Sequence, residues 1–413
     1  MGILSRYAGF RSLWIGQLLS QFGNAVFLIM GLWEIQLRSP FLLSIAGLAM
    51  VIPSLLAAAG GVLVDRYDAG RMMLYTDLLR GCAVAAGMVA LLVPGSLVAV
   101  VIVLLGVNSL GAALFSPGEA IMIPRLVTDA DLTAANGIYN LTAQASGAIG
   151  SAIGGAAIAG IGAMWVFGFD MGSFWISALA IALMLRTLAP QPHLHEQTSG
   201  GEPHSSFFTS MRDGMAAVRK LPAVIELLPI VILTNFAFMA AFTMLPYWIN
   251  HILHANALWY GLIDAGWAVG LVTGSVTAGY LSRLSTRTAS TLMFGLEALL
   301  FGAFAFSGSA LLSGILLLLG GITNGIGNAV MFTLLQRLIP EAVRGRAFGL
   351  IFTLFGLANP LGALAAGVFL HILPPYLPWI FAALSTLALA IGMWRVVPND
   401  LPVAQETPHP LSD

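Results

Sequence analysis

The chain is 413 residues long, 58% hydrophobic and only 8% charged, with 17 basic residues against 18 acidic ones and a mean hydropathy of +0.91. A soluble domain carries roughly a quarter charged residues, so a water-facing surface over most of the chain is excluded. A net charge of -1 likewise excludes a basic field for nucleic acid, and the single cysteine, Cys82, excludes an internal disulfide or a cysteine-based metal centre.

The expected fold class is an all-α polytopic membrane protein. The opening segment MGILSRYAGF has no short apolar core with a small-residue cleavage site, so no removable signal peptide is expected. A spanning helix needs about 20 mostly apolar residues. Such runs fall at 11–33, 41–63, 72–93, 97–116, 133–158 and 163–186, and again at 222–250, 257–281, 289–307, 311–336, 346–371 and 376–396. The polar stretch between the two sets contains APQPHLHEQTSGGEPHSS and reads as a flexible linker. Its His193, His195 and His204 sit in an irregular, proline-rich loop, which favours solvation over metal binding. The expected organisation is a six-helix bundle over 1–188, a cytoplasmic linker over 189–220, a second six-helix bundle over 221–397 and a cytoplasmic tail over 398–413.

With a cytoplasmic N-terminus, every Lys and Arg except Arg38 falls at or near the inner face, as the positive-inside rule requires. Both termini are then cytoplasmic. The two halves also echo each other. Gly61 leads to Asp65-Arg66 at the end of the second run, and Gly279 leads to Arg283 at the end of the eighth. Ile123-Pro124-Arg125 follows the fourth run, and Ile339-Pro340-Glu341 follows the tenth. These echoes suggest one six-span unit used twice, as in transporters built from repeats.

No phosphate-binding G-x-x-x-x-G-K-[ST] loop and no H-E-x-x-H occur, and Lys220 is the only lysine. Nucleotide hydrolysis is therefore excluded as an energy source, and no cofactor or metal is expected. His251 and His254, beside Trp248 and Trp259, read as interfacial residues. The strongest local signal is Gly60-Gly61-Val62-Leu63-Val64-Asp65-Arg66-Tyr67-Asp68-Ala69-Gly70-Arg71. Its glycines allow two helices to approach, and its turn sets carboxylates and guanidinia at the membrane face, where they can bridge to a neighbouring helix end.

That segment resembles the G-x-x-x-D-R-x-x-R loop between spans 2 and 3 of the major facilitator superfamily. FRSLWIGQLLSQFGNAVF, LYTDLLRG, FSPGEAIMIPRLVTDADLTAANG and LLQRLIPEAVRGRAFGL resemble its drug:proton antiporter-3 branch, which includes macrolide-efflux and siderophore-export proteins. The likeness covers about residues 10–397. It implies a rocker-switch transporter of two pseudo-symmetric six-helix bundles, with a central cavity lined by helices 1, 4, 7 and 10. It also implies an inner latch between Asp65 and the start of helix 11 near Arg344 and Arg346, with Gly61, Arg66 and Arg71 in the same gate motif. Gly150-Ser151-Ala152-Ile153-Gly154-Gly155 resembles the antiporter pattern G-P-x-x-G-G, with Ser151 in place of proline. Asn24 stands where relatives often carry an aspartate, and Glu119 where they often carry arginine.

Acidic residues inside a membrane are costly and mark function by default. Asp264, with Gly266, Gly270 and Gly274 on a close-packed face, is the leading proton-coupling candidate, alongside Glu34 and Glu297. Asp170 reads as structural, and Asp77 with Arg80 as a local ion pair. The cavity candidates are Gln17, Gln21 and Asn24 on the first span, Asn108 on the fourth, Asn235, Met239 and Phe242 on the seventh, and Asn324, Asn328 and Phe332 on the tenth. Amides, soft sulfur and aromatic area with few fixed charges suit a bulky amphipathic solute. The expected function is proton-coupled efflux of a drug-like or secondary-metabolite solute from the cell's inner membrane. Its expected partners are that small solute, protons and membrane lipid, with no nucleic acid or nucleotide and the chain as a monomer. Uptake or uniport in the same fold, and a non-transporting membrane sensor, are the alternatives.

Overall fold

The computed structural model describes residues 2–59, 68–160, 162–187, 215–216, 218–219, 221–370 and 373–398; among these, every regular element is helical. Twelve helices have 20 residues or more: α1 Ala8–Arg38, α2 Pro40–Ala59, α3 Ala69–Ala90, α4 Leu97–Leu126, α5 Asp129–Gly160, α6 Ala163–Thr187, α7 Pro222–Thr243, α8 Ala257–Thr277, α9 Thr286–Ala305, α10 Ala310–Leu338, α11 Glu341–Leu370 and α12 Leu377–Val396. Nine are long and apolar enough over the described residues to cross a membrane. The other three, α2, α5 and α11, are 20, 32 and 30 residues long.

Helices form here because apolar backbone must satisfy its hydrogen bonds internally in lipid. They end where local chemistry stops them. Asp68 caps α3 by accepting from the Arg71 amide at 2.8 Å, and Ser285 caps α9 through Thr288. Gly95 (φ 83°) and Gly162 (φ 82°) make the left-handed turns that lead into α4 and α6.

Two element boundaries differ from the sequence reading. The fourth span was expected to stop at 116, before Pro117-Gly118, yet α4 continues to Leu126 through Pro117 and Pro124. Each proline forfeits a backbone bond, but Phe115, Met122, Ile123 and Leu126 are buried along that stretch, and their packing holds the helix. The seventh span does not run unbroken to 250. After α7 ends at Thr243, a short turn at Leu245–Tyr247 carrying Pro246 leads into a π-helical turn, Trp248–Ile252. The echoed Ile-Pro pairs also sit differently, with Pro124 inside α4 and Pro340 in the two-residue link before α11.

The contacts divide the chain into two compact units that are discontinuous in sequence. One comprises residues 1–207, 242–265 and 359–375; the other comprises 208–241, 266–358 and 376–413. In the first unit α1 packs along α6 and α5, α3 packs on α6 and α4, and α2 packs on α4. Its core gathers Phe10, Leu13, Met73, Phe115, Met122, Ile181 and Met184. In the second, α9 packs on α12 and α10. Trp267, Phe301, Phe304 and Trp379 form an aromatic core there, with the rings of Phe304 and Trp379 4.1 Å apart. Helix association in lipid relies on close packing rather than on a hydrophobic drive, and the α8–α10 crossing shows it. Side chains at Gly270 or Gly274 would overlap the α10 backbone at Leu318 and Ile322; side chains at Gly321 or Gly325 would overlap the α8 backbone at Trp267 and Leu271.

Candidate functional site

The second unit holds a cavity of about 480 Å³ bounded by α7, α8, α10 and α11. Helical spacing explains which side chains reach it. Asn328 and Phe332 are four apart on one face of α10, and Asn235 faces them from α7 within a wall of Val231, Met331, Phe348 and Phe355. The Phe332 and Phe348 rings pack 5.3 Å apart. Asn235 donates its amide to the Val231 carbonyl of its own helix at 2.9 Å.

A hydrogen-bonded string leaves this cavity. Asn328 donates from Nδ2 to Asn324 Oδ1 at 2.7 Å, and Asn324 donates from Nδ2 to Glu297 Oε1 at 2.8 Å. Asn328 is exposed, whereas Glu297 on α9 is 2% exposed and its Oε2 has no hydrogen-bond partner among the described residues. Two amides spaced one turn apart thus connect a solute-sized space to a carboxyl group sealed from water.

Asp264 lies elsewhere. It is half-buried on α8, and the Ser151 hydroxyl of α5 donates to its Oδ2 at 2.6 Å. Ser151 occupies the position where the antiporter-like pattern has proline, which has no hydroxyl to donate. The two helices cross closely at this point. A Cβ on Gly155 would come within 2.5 Å of the Ala257 carbonyl oxygen, and one on Gly261 would overlap the Ser151 carbonyl. Gly150 and Gly154 face the other way, with Ala25 and Val26 of α1 as their neighbours. Gly266 has ordinary van der Waals room, unlike Gly270 and Gly274.

The first unit buries a polar network that sequence reasoning only partly saw. Arg80 Nη1 meets Asp77 Oδ1 at 3.3 Å, and its Nη2 donates to the Asn108 main-chain oxygen at 2.7 Å. Ser177 donates to Asp77 Oδ2 at 2.6 Å, and Gln17 donates from Nε2 to Ser177 at 3.0 Å. The guanidinium lies over the Phe174 ring and against Gly111, where any side chain would collide with it. Gln17 is therefore a buried structural donor, only 5% exposed. Gln21 and Asn24 are half-buried on α1, and Gln21 Oε1 has no hydrogen-bond partner among the described residues. The Asp77-Arg80 spacing signalled the pair, but Ser177 gave no signal, and Asn108, expected in the cavity, is instead an Arg80 partner through its main-chain oxygen and does not line the cavity of the second unit.

Of the gate motif, Gly61, Asp65 and Arg66 lie outside the described residues, as do the side chains of Arg344 and Arg346 near the start of α11. Arg71 is exposed in the first turn of α3. Glu34 is half-buried one turn before Arg38. Met239 and Phe242 lie on α7, outside the cavity wall. His251 stacks on Tyr247, the rings 4.2 Å apart. Most of the expected linker and tail lies outside the described residues.

Comparison with known proteins supplies the family. A family model described as a transmembrane secretion effector matches residues 5–406. The chain is 26% identical over 375 residues to macrolide efflux protein A of Streptococcus pyogenes, covering 87% of this chain and 89% of that protein. It is 29% identical over 326 residues to an enterobactin exporter of Citrobacter koseri, covering 77% and 72%. In fold it matches a bacterial homologue of the iron transporter ferroportin with a TM-score of 0.69 at 18% identity, covering 96% of this chain and 98% of that one.

Proposed function

Because this chain belongs to the transmembrane secretion effectors of the major facilitator superfamily, and so is a multi-pass membrane transporter rather than an enzyme, we propose that it exports a bulky amphipathic solute in exchange for protons. The observation that carries this reading is the cavity whose Asn328–Asn324 string ends on buried Glu297. A volume of about 480 Å³ falls in the range of roughly 300–1,000 Å³ typical of drug-sized ligands. The wall is mainly apolar and aromatic, with amides to orient the solute. Solute binding at Asn328 pulls on the same amide chain that holds Glu297, so occupancy and the state of the carboxyl are linked.

The names of the relatives, a macrolide efflux protein and an enterobactin exporter, support a macrolide- or siderophore-type solute and outward movement. All twelve helices cross the plasma membrane in this reading, with both termini cytoplasmic and the chain acting as a monomer. Alternating access proceeds by rocking of one half against the other, powered by the proton gradient without a cofactor.

Export from proteoliposomes, assayed with a macrolide and with a catecholate siderophore, tests the cavity. Asn328→Leu removes one hydrogen bond to the solute, an interaction of about 0.5–1.5 kcal/mol, so KM should rise up to about tenfold. Phe332→Ala should raise it similarly for the macrolide. An unchanged KM in both variants for both solutes would place binding outside this cavity.

A further inference from the structure

The polar groups on the wall of the second unit's cavity share one hydrogen-bonding character. Three side chains supply them, Asn235 on α7, Ser275 on α8 and Asn328 on α10. A serine hydroxyl has a single hydrogen, and Ser275 gives its own to the Leu271 carbonyl at 2.9 Å. Asn235 turns Nδ2 to the Val231 carbonyl, which can only accept. Asn328 turns Nδ2 to Asn324 Oδ1, a direction set from the far end of the string. An ionised Glu297 carboxylate can only accept, so Asn324 gives it Nδ2 and leaves Oδ1 for Asn328. The side-chain oxygens of Asn235 and Asn328 therefore accept no hydrogen bond among the described residues. No basic side chain bounds the cavity among those residues, and the ionisable group tied to its wall, Glu297, is an acid.

Taking this cavity as the export site, on which the inference rests, we propose that it holds its solute by a protonated amine. Asn235 Oδ1 and Asn328 Oδ1 are the acceptors for the N–H groups. The charge lies against the exposed Phe332 ring, whose face attracts a cation. The apolar wall of Val231, Met331, Phe348 and Phe355 takes the remainder of the molecule. An anionic head group would lose its water here and meet only oxygens and ring faces, an uncompensated cost. A quaternary ammonium keeps its charge and its attraction to the ring but has no hydrogen to give. Charge and donor are thus separate requirements, and the cavity selects for both.

Three dansyl-labelled twelve-carbon chains, ending in a primary ammonium, a trimethylammonium or a carboxylate, separate the requirements. Their binding to the full-length protein in lipid nanodiscs, corrected for empty nanodiscs, is the readout. The ammonium chain should bind tightest, the trimethylammonium chain about tenfold or more weakly, as expected for lost hydrogen bonds from a charged group, and the carboxylate chain weakest. Asn235→Leu and Asn328→Leu should each weaken the ammonium chain about tenfold and leave the trimethylammonium chain within about twofold. If neither variant folds, the order of the three chains on the wild type decides alone. Equal binding of the ammonium and trimethylammonium chains, a carboxylate chain bound as tightly as the ammonium, or no binding of any chain overturns the proposal. Transport of the ammonium chain in proteoliposomes is measured separately. The predicted order without transport counts against export and leaves the amine site standing; transport without that order does the reverse.

Discussion

Ser151 shows how one substitution in a familiar pattern changes the chemistry of a helix crossing. Its hydroxyl is the hydrogen-bond donor to Asp264. Ser151→Ala should destabilise the protein by about 0.5–1.5 kcal/mol, the net value of one hydrogen bond to a half-buried carboxyl. Ser151→Thr should retain most of that stability. Thermal unfolding in detergent reads both, and equal melting temperatures for Ala and wild type would mean that Asp264 is satisfied by water. Near the N-terminal end of α1, the Tyr7 hydroxyl donates to Asp131 Oδ2 at 2.8 Å and Arg6 Nη1 meets it at 2.6 Å. The tyrosine hydrogen bond, reinforced by the Arg6 charge, holds the Asp131 carboxyl below its ordinary value. Since the folded-state value is depressed, this tie is complete above the ordinary carboxylate range and is lost as pH falls through the lowered value. Spin-label distances between residues 5 and 129 should therefore lengthen on strong acidification, and at a higher pH in Tyr7→Phe. A distance that is constant down the same pH range would show that the tie does not depend on Asp131.

At the scale of elements, the α8–α10 crossing is set by glycines that oppose backbone rather than flexible side chains. Backbone cannot step aside, so Gly274→Ala or Gly321→Ala should each lower stability by about 1–3 kcal/mol through overpacking. Gly295 on α9 has no atom within 4 Å of where a Cβ would stand. Gly295→Ala should be neutral or stabilising by up to about 1 kcal/mol, from helix propensity alone. Melting temperatures of the three variants separate the cases, and a uniform response would mean that the crossing is not under contact. Such packing was half legible beforehand. The spacing of Gly266, Gly270 and Gly274 marks a face, but only the position of α10 shows that Gly270 and Gly274 are pressed against its backbone while Gly266 has ordinary van der Waals room. Likewise, helical spacing put Asn324, Asn328 and Phe332 on a shared face. It put Gln17 on a polar face of α1 too, yet could not show that Ser177 lies across from it. Periodicity fixes which residues share a face; the neighbour that meets the face is a tertiary fact.

For the whole molecule, composition and apolar period were enough to expect a polytopic membrane protein, and the short motifs enough to expect the family. The long helices follow from hydropathy because lipid leaves the backbone few alternatives. The chemistry was less legible. Charges at 77, 80, 119, 170, 264 and 297 stood out, as did Ser151, Asn108 and Asn324 for other reasons, but which polar residue pairs with which charge is a matter of juxtaposition, and Ser177 gave no signal at all. The central claim is that solute export is coupled to protons through Glu297. The direct measurement is lumenal pH in proteoliposomes under an imposed pH gradient, recorded as a macrolide or catecholate siderophore is added. The account predicts solute-dependent proton movement in the wild type and none in Glu297→Gln. Solute crossing the wild-type membrane with no proton movement, or full proton movement in Glu297→Gln, would contradict it.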